Sequence, residues 1–112
     1  MQEAQIAETA SVFAALGDET RLRIVTRLCR SGPQSIVRLT EGTRVTRQAV
    51  TKHLHALSHA GLVRGRRVGR ETLWELEPRR LAEVRGYLDD ISRQWDEAIG
   101  RLKAFVETPS ST

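Results

Sequence analysis

The sequence predicts a mainly α-helical fold with one small β-hairpin, and its apolar pattern supports this. Apolar residues recur every three or four positions over most of the chain, as they do on the buried face of an α-helix. Between residues 62 and 77 the period falls to two, as in a β-strand. The 112 residues suffice for one domain with a modest core, at a size where a second subunit helps to bury apolar surface. We therefore expect one domain over residues 1–107, a homo-oligomer, and a disordered tail over residues 108–112.

Apolar stripes and boundary residues predict the first two helices. The first helix carries a stripe made of Ile6, Ala10, Phe13 and Ala14. Gly17 and Asp18 then indicate a stop followed by a new N-cap. The second helix carries a stripe made of Leu22, Val25, Leu28 and Cys29. Gly32 and Pro33 end this helix, because Gly accepts the left-handed cap conformation and Pro cannot continue the helix.

Two further helices, joined by a tight turn, are predicted next. Ser35 can cap a short third helix that ends at Gly42, with Ile36 and Leu39 facing inward. Thr46 can cap a fourth helix that runs to Ala60. The spacing of the fourth helix predicts a core side made of Val50, Leu54 and Leu57. It leaves a polar and cationic outer side made of Arg47, Gln48, Thr51, Lys52 and His55.

A hairpin and a long last helix complete the predicted fold. Residues 62–68 and 71–77 are strand-like, with Thr72, Trp74 and Leu76 on one face, and Gly69 and Arg70 suit a two-residue hairpin loop. Pro78 can open the last helix, whose apolar positions form a heptad seam. The seam comprises Leu81, Val84, Leu88, Ile91, Trp95, Ala98, Leu102 and Phe105. We expect this seam and Ile6, Ala10 and Phe13 of the first helix to form a dimer interface; packing within one chain is the alternative.

All the excess positive charge of the chain lies in residues 42–70. This window holds seven basic residues and no Asp or Glu: Arg44, Arg47, Lys52, Arg64, Arg66, Arg67 and Arg70. The whole chain has 18 basic and 14 acidic residues, so the remainder holds 11 basic and 14 acidic ones. Concentrated positive charge is typical of surfaces that bind the phosphates of nucleic acids. The alternative is a solvated basic face without a partner.

A helix, a turn, a cationic helix and a basic hairpin follow one another in the order of a winged helix-turn-helix. A DNA major groove about 12 Å wide admits one helix, while a flanking hairpin can reach phosphates or the minor groove. Four segments in this order resemble the ArsR-type family of bacterial winged-helix repressors. They are ALGDETRLRI at residues 15–24, TRQAVTKHL at 46–54, AGLVR at 60–64 and GR at 69–70. The resemblance implies a homodimer of five-helix protomers with two-stranded wings, which binds an inverted-repeat operator and represses until an effector releases it.

The resemblance and the chemistry of the side chains together predict the DNA-binding residues. The family's recognition pattern falls on Thr46, Thr51, His53 and Leu54, which implies DNA contacts for both threonines and a core position for Leu54. Arg47 and Gln48 are candidates for reading guanine and adenine. His53 packs beside the core face within reach of DNA, while Lys52 and His55 are expected to meet phosphates or base edges. The remaining predicted contacts are Arg44, Arg64, Arg66, Arg67 and Arg70. Because Arg66 and Arg67 alternate across the strand, only one of them can face the DNA.

The sequence departs from the metal-sensing members of this family. Their metal sites use a Cys-x-Cys pair before the turn, or Asp and His ligands in the last helix. This chain has SIVRL at residues 35–39 and no His or Cys after His59, so we expect no metal and no cofactor. Cys29 is predicted to be a small buried apolar residue, with redox or metal sensing as alternatives. His55 and His59 are spaced to hold zinc from one helix, but this is the weaker interpretation.

We therefore expect a dimeric repressor that binds double-stranded DNA and is not an enzyme. No Ser-His-Asp grouping, phosphate-binding Gly loop or paired carboxylate points to catalysis. Alternatives are a winged-helix module that binds a protein or RNA, although all five aromatic residues lie outside the basic window. No apolar run approaches the ~20 residues of a membrane span, and no secretion signal is recognisable, so a cytoplasmic location without membrane contact is expected. One option for the effector is a small molecule or lipid in a dimer cavity lined by Trp95 and Phe105, although packing is the favoured role of these two side chains.

Overall fold

Residues 3–107 of the computed structural model are described, and they form five helices and three strands. The helices are α1 (Glu3–Leu16), α2 (Glu19–Ser31), α3 (Ile36–Thr40), α4 (Arg47–His59) and α5 (Pro78–Glu107). The strands are β1 (Gln34–Ser35), β2 (Val63–Val68) and β3 (Glu71–Leu76). The predicted tail at residues 108–112 lies outside the described residues. No helix within residues 3–107 is long and apolar enough to cross a membrane.

The structure confirms the three N-caps predicted from the sequence. The Asp18 carboxylate accepts a hydrogen bond from the Arg21 amide at 3.0 Å, and the Thr46 hydroxyl accepts one from the Ala49 amide at 3.1 Å. Ser35 caps α3 in the same way. Each cap satisfies an amide that has no partner inside its helix, which stabilises a helix by about 0.5–2 kcal/mol. Helix α3 ends two residues before Gly42, which instead takes a φ of 76° in the turn that leads to α4.

The sheet has three strands, so the predicted two-stranded wing is wrong in its strand number. The antiparallel order is β1-β3-β2, and Gln34 and Ser35 of β1 pair with Trp74 and Leu73 of β3. A strand of two polar residues shows no alternation of apolar and polar positions, which is why the sequence pattern does not reveal it. The predicted hairpin loop is confirmed, because Val68 pairs with Glu71 and Gly69 has a φ of 63°.

The core lies between α4, the sheet and the first two helices. The predicted inward side of α4 is confirmed, since Val50, Leu54 and Leu57 are fully buried. The predicted stripe of the second helix is partly wrong. The residues of the first two helices that enter the core are Val12, Ala15, Ile24 and Leu28. Leu22 and Cys29 are exposed instead, because their side of α2 does not face α4 and the sheet. Phe13, predicted to lie in the dimer interface, is also exposed in the protomer.

The first two turns of helix α5 pack against the core, and the rest of the helix projects away from it. Leu81 packs against the core and Val84 is buried, so these two residues, predicted to lie in the dimer interface, belong to the packing of the protomer. From Leu88 onward nearly every residue is exposed. The described residues measure 77 × 30 × 20 Å, with a radius of gyration of 19.8 Å. A compact chain of this length has a radius of gyration of about 13 Å, so α5 projects far beyond the rest of the protomer.

Candidate nucleic-acid interface

The outward face of α4 is polar and cationic, as the sequence predicts. Arg47, Gln48, Lys52 and His55 are all exposed. Thr51 lies between them, half-buried, and its hydroxyl donates a hydrogen bond to the Arg47 carbonyl at 2.8 Å. Thr46, also exposed, uses its hydroxyl oxygen to cap the helix. These side chains occupy one side of α4 opposite its buried residues, so the helix presents a continuous hydrogen-bonding surface.

The turn before α4 is braced from two sides. The Arg27 guanidinium donates hydrogen bonds to the carbonyls of Leu39, at 3.3 Å, and Glu41, at 2.9 Å. The Thr43 hydroxyl donates to the Thr40 carbonyl at 2.7 Å. Arg44 follows directly and is exposed. These bonds hold the end of α3 and the turn in place, and Arg44 lies in the segment that leads directly into α4.

The structure separates His53 from the outward face of α4. An α-helix turns by about 100° per residue, which puts His53 about 160° from both Thr51 and His55. Its side chain is 22% exposed, and its Nδ1 lies 3.4 Å from Arg21 Nη1 and 3.8 Å from Asp18 Oδ2. The sequence placed His53 beside the core, and this is confirmed. This position gives no support to the prediction that His53 contacts DNA.

The carboxylate next to His53 is held in its charged form. The hydrogen bond from the Arg21 amide lowers the pKa of Asp18 below its ordinary value of 3.8, and the positive charge of the Arg21 side chain acts in the same direction. Since a charged N-cap is the stronger acceptor, this favours the fold of α2 at neutral pH.

Two of the wing arginines are neutralised by glutamates. Arg64 donates hydrogen bonds to Glu75 at 3.0 Å and to Glu77 at 3.2 Å, and Arg66 lies 3.4 Å from Glu75. The hydrogen bond from Arg64 lowers the pKa of Glu75 below its ordinary value of 4.5, and Arg66 adds to the effect. Sequence reasoning missed these pairs because both glutamates lie outside the basic window. Counting back from the hairpin loop reveals one of them, since Arg64 pairs directly with Glu75.

The other wing arginines remain uncompensated. Arg67 pairs with Thr72 and therefore shares the sheet face of Thr72 and Trp74. That face lies toward α4, since the Trp74 ring centroid is 6.1 Å from that of His55. Within residues 3–107, no ion pair involves Arg67, Arg70 or the three cations of the turn and α4, Arg44, Arg47 and Lys52. Arg66 and Arg67 thus point to opposite faces, and Arg67 is the one on the side of α4.

The described residues contain no evident metal centre. Across residues 3–107, no three His, Cys, Asp or Glu side chains come close enough together to hold a metal ion. Cys29 is exposed, so its predicted role as a buried apolar residue is wrong. It lies near the C-terminal end of α2, where the last turn of the helix faces solvent.

An apolar surface without a partner inside the protomer covers the far half of α5. Trp95 is 64% exposed, Leu102 62% and Phe105 82%. These are predicted interface residues, as are Leu88, Ile91 and Ala98. Ile99 and Val106, which the heptad pattern did not include, are also exposed. Near the body of the protomer, the ring of Phe13 in α1 meets that of Tyr87 in α5 edge-on at 6.2 Å, so the apolar surfaces of α1 and α5 are adjacent.

Comparisons with known proteins agree with this architecture. A family model described as a helix-turn-helix domain matches residues 16–66. The chain is 39% identical over 96 residues to the HTH-type transcriptional regulator Rv2034 of Mycobacterium tuberculosis, and the match covers 86% of each protein. It is 29% identical over 109 residues to the arsenic resistance transcriptional regulator ArsR1 of Pseudomonas putida, covering 89% of this chain and 81% of that protein.

A solved structure extends the likeness to the whole fold. The ArsR-like transcriptional regulator from Rhodococcus sp. RHA1 superimposes with a TM-score of 0.82 at 41% identity, covering 94% of this chain and 98% of that one. The relatives are transcriptional regulators, a class of proteins that are not enzymes. The chain belongs to the ArsR family of winged helix-turn-helix, DNA-binding transcriptional regulators.

Proposed function

We propose that the protein is a homodimeric, cytoplasmic repressor that binds an inverted-repeat operator through α4 and the β2–β3 hairpin. One observation carries this proposal. Five cations that form no ion pair within residues 3–107 lie together on the turn, the outward face of α4 and the hairpin. This group comprises Arg44, Arg47, Lys52, Arg67 and Arg70. Neutralising phosphates with such cations releases condensed counterions, which drives binding to duplex DNA.

The two parts of this surface have different tasks. Helix α4 enters the major groove, where Arg47 and Gln48 near its start read base edges and Thr51 and Lys52 contact bases or backbone. The hairpin follows the adjacent phosphates with Arg67 and Arg70. Arg64 and Arg66 contribute less, because Glu75 and Glu77 already balance their charge. His53 makes no contact with DNA, because it lies away from the outward face of α4.

The homodimer forms through the exposed apolar side of α5 together with α1. Burying a large apolar side chain stabilises an assembly by about 1.5–3 kcal/mol, and the far half of α5 offers several such residues. Pairing two protomers about a two-fold axis sets two α4 helices into successive major grooves, about 34 Å apart. An imperfect palindrome with half-sites one helical turn apart is the operator that fits this arrangement.

We further propose that the regulator is not released by a metal bound at the positions used by metal-sensing members of the family. Residues 35–39 carry no cysteine, and no His or Cys follows His59 in the sequence. Metal-sensing and other members share the DNA-binding fold, so this proposal concerns the effector alone.

The proposal is tested by duplex binding as a function of salt. The operator is obtained by sequencing genomic fragments retained by the purified full-length protein, and binding is followed by gel shift. The slope of log Kobs against log salt should fall by about one for Arg67→Ala. Arg64→Ala is the matched control on the other face of the same strand, and it should change the slope much less. Absence of salt-dependent binding by the wild-type protein would favour a protein-binding module, and preference for single-stranded RNA would favour an RNA-binding one.

A further inference from the structure

One arginine side chain connects the end of α1 to the DNA-reading helix. Arg21 Nε donates a hydrogen bond to the Ala15 carbonyl at 2.6 Å, and Nη2 donates to the Ala14 carbonyl at 3.4 Å. On its other side, Nη1 lies 3.4 Å from His53 Nδ1 in α4. The guanidinium therefore spans two elements that are far apart in the sequence.

The chemistry of the contact suits a guanidinium at this position. Carbonyls in the last turn of a helix lack amide partners within that helix, and Ala14 and Ala15 lie in the last turn of α1. The Ala14 carbonyl also accepts a hydrogen bond from the Gly17 amide at 3.3 Å, so the short contact to Ala15 is the main one that Arg21 makes with α1. A planar group with five donors can serve both carbonyls and a third acceptor at once, whereas a lysine ammonium is a single point charge on a flexible stem. Arg21 itself is fixed at the start of α2, where its amide binds the capping carboxylate of Asp18.

The contact with Arg21 indicates which ring nitrogen of His53 accepts. Arg21 Nη1 lies 3.4 Å from Nδ1 and is nearer to it than Asp18 Oδ2, which lies at 3.8 Å. Since a guanidinium only donates, Nδ1 must accept, and the proton of the neutral ring lies on Nε2.

We infer that Arg21 and His53 are positioning residues that fix the orientation of α4 relative to α1. This rests on the proposed function, in which α1 belongs to the dimer interface and α4 reads the operator. The pair then transmits the geometry of the two paired protomers to the helix in each groove. His53 acts through Arg21 and touches no DNA.

The variants separate hydrogen bonding from helix propensity. In His53→Asn the amide oxygen stands close to the position of Nδ1, whereas in His53→Gln it is one carbon further out. Gln has the higher helix propensity, so weaker binding by the Gln variant cannot come from a weaker helix. We expect operator affinity to fall about three- to tenfold for His53→Gln and for Arg21→Lys, and to stay within about twofold for His53→Asn. Arg23→Ala is the control in α2, since Arg23 is 74% exposed and forms an ion pair with Glu19 of its own helix.

Two further measurements distinguish positioning from contact. The salt slope of His53→Gln should equal that of the wild-type protein, because no phosphate contact is lost; a slope lower by about one would show a phosphate contact and overturn the inference. Equal operator affinity for wild type, His53→Gln and Arg21→Lys would also overturn it.

The contact itself can be tested without DNA. In the ¹⁵N-labelled protein above neutral pH, the ring nitrogen shifts of His53 should report the Nε2–H form, and Arg21→Ala should shift the ring toward a mixture of both tautomers. An Nδ1–H ring in the wild-type protein would overturn the inference even if the operator is bound. Conversely, an Nε2–H ring in a protein that binds no duplex would reject the proposed function and leave the Arg21–His53 contact standing.

Discussion

Large apolar side chains are mostly buried in the body of the protomer and mostly exposed in the far half of α5. In the body, which spans residues 12–84, large apolar residues such as Leu39, Leu54 and Leu57 are at most 1% exposed. In the far half of α5, residues 88–107, Trp95 and Phe105 are 64% and 82% exposed. One heptad pattern runs through both regions. The spacing of apolar residues thus shows which side must be buried, while the tertiary structure decides whether the cover comes from the same chain.

The difference lies in how many neighbours each region has. The body closes a core between helices and a three-stranded sheet, so most of its large apolar side chains are buried within one protomer. The far half of α5 has no element beside it in the described chain, and a continuous exposed apolar surface of this kind marks an interaction site. The body should therefore fold at any protein concentration, whereas the far half of α5 should be stabilised further by a partner.

The largest effect is expected from substitutions on the exposed apolar side of α5 that leave the body unchanged. Replacing Leu102 and Phe105 by Glu puts charges on the exposed apolar side, and dimerisation should be lost, because like charges cannot be buried together. Operator affinity should then fall about 10²- to 10⁴-fold, because two linked half-sites become independent ones. Sedimentation and gel shift measure the two effects. The far-ultraviolet circular dichroism of the body should persist, and a dimer that survives this change would place the interface elsewhere.

A second test compares equal truncations in the two regions. Leu57→Ala removes a fully buried side chain and should lower the free energy of unfolding by about 2–5 kcal/mol at every protein concentration. Leu102→Ala removes a side chain that is 62% exposed in the protomer. Its effect on the melting temperature should change with protein concentration, since it acts on dimer formation. Thermal unfolding at several concentrations checks this, and a concentration-independent loss for Leu102→Ala would contradict the division into two regions.

Local signals in the sequence predicted most of the body. The caps Asp18, Ser35 and Thr46 and the loop glycine Gly69 act on neighbouring backbone, so a short window contains all the information. The strand β1 was missed because its existence depends on pairing with β3, about forty residues away. The stripe of α2 was partly misassigned for a related reason: this helix has apolar residues on two sides, and only tertiary contact selects Ile24 over Leu22.

The candidate site divides in the same way. Exposure of Arg47, Gln48 and Lys52 follows from helical periodicity and was predicted. The neutralisation of Arg64 depends on the strand register, which the sequence contains but which has to be counted out from the hairpin loop. The contact between Arg21 and His53 joins residues 32 positions apart, so no local sequence pattern predicts it.

A third test concerns the exposed cations of the body. Arg47→Ala should weaken operator binding by about 1–3 kcal/mol and relax the preference at one base pair, because a bidentate contact to a guanine is lost. Arg30→Ala removes the same charge at the end of α2 and should leave that base preference intact. Binding to a set of single-base operator variants measures both. Equal profiles for the two variants would mean that Arg47 does not read bases.

The smallest effect concerns the acid stability of the wing. Arg64 and Arg66 lower the pKa of Glu75 in the folded protein below its ordinary value of 4.5, so the unfolded chain binds the proton more readily. The contribution of Glu75 to stability is therefore complete above about pH 4.5 and is lost as the pH falls through the lowered pKa. Glu75→Gln should melt below the wild type at neutral pH, and the two melting temperatures should converge in acid. Glu97→Gln, on the exposed far half of α5, is the control. If the difference in melting temperature between Glu75→Gln and the wild type stays constant as the pH falls, Glu75 contributes to the wing through its shape and not through its charge.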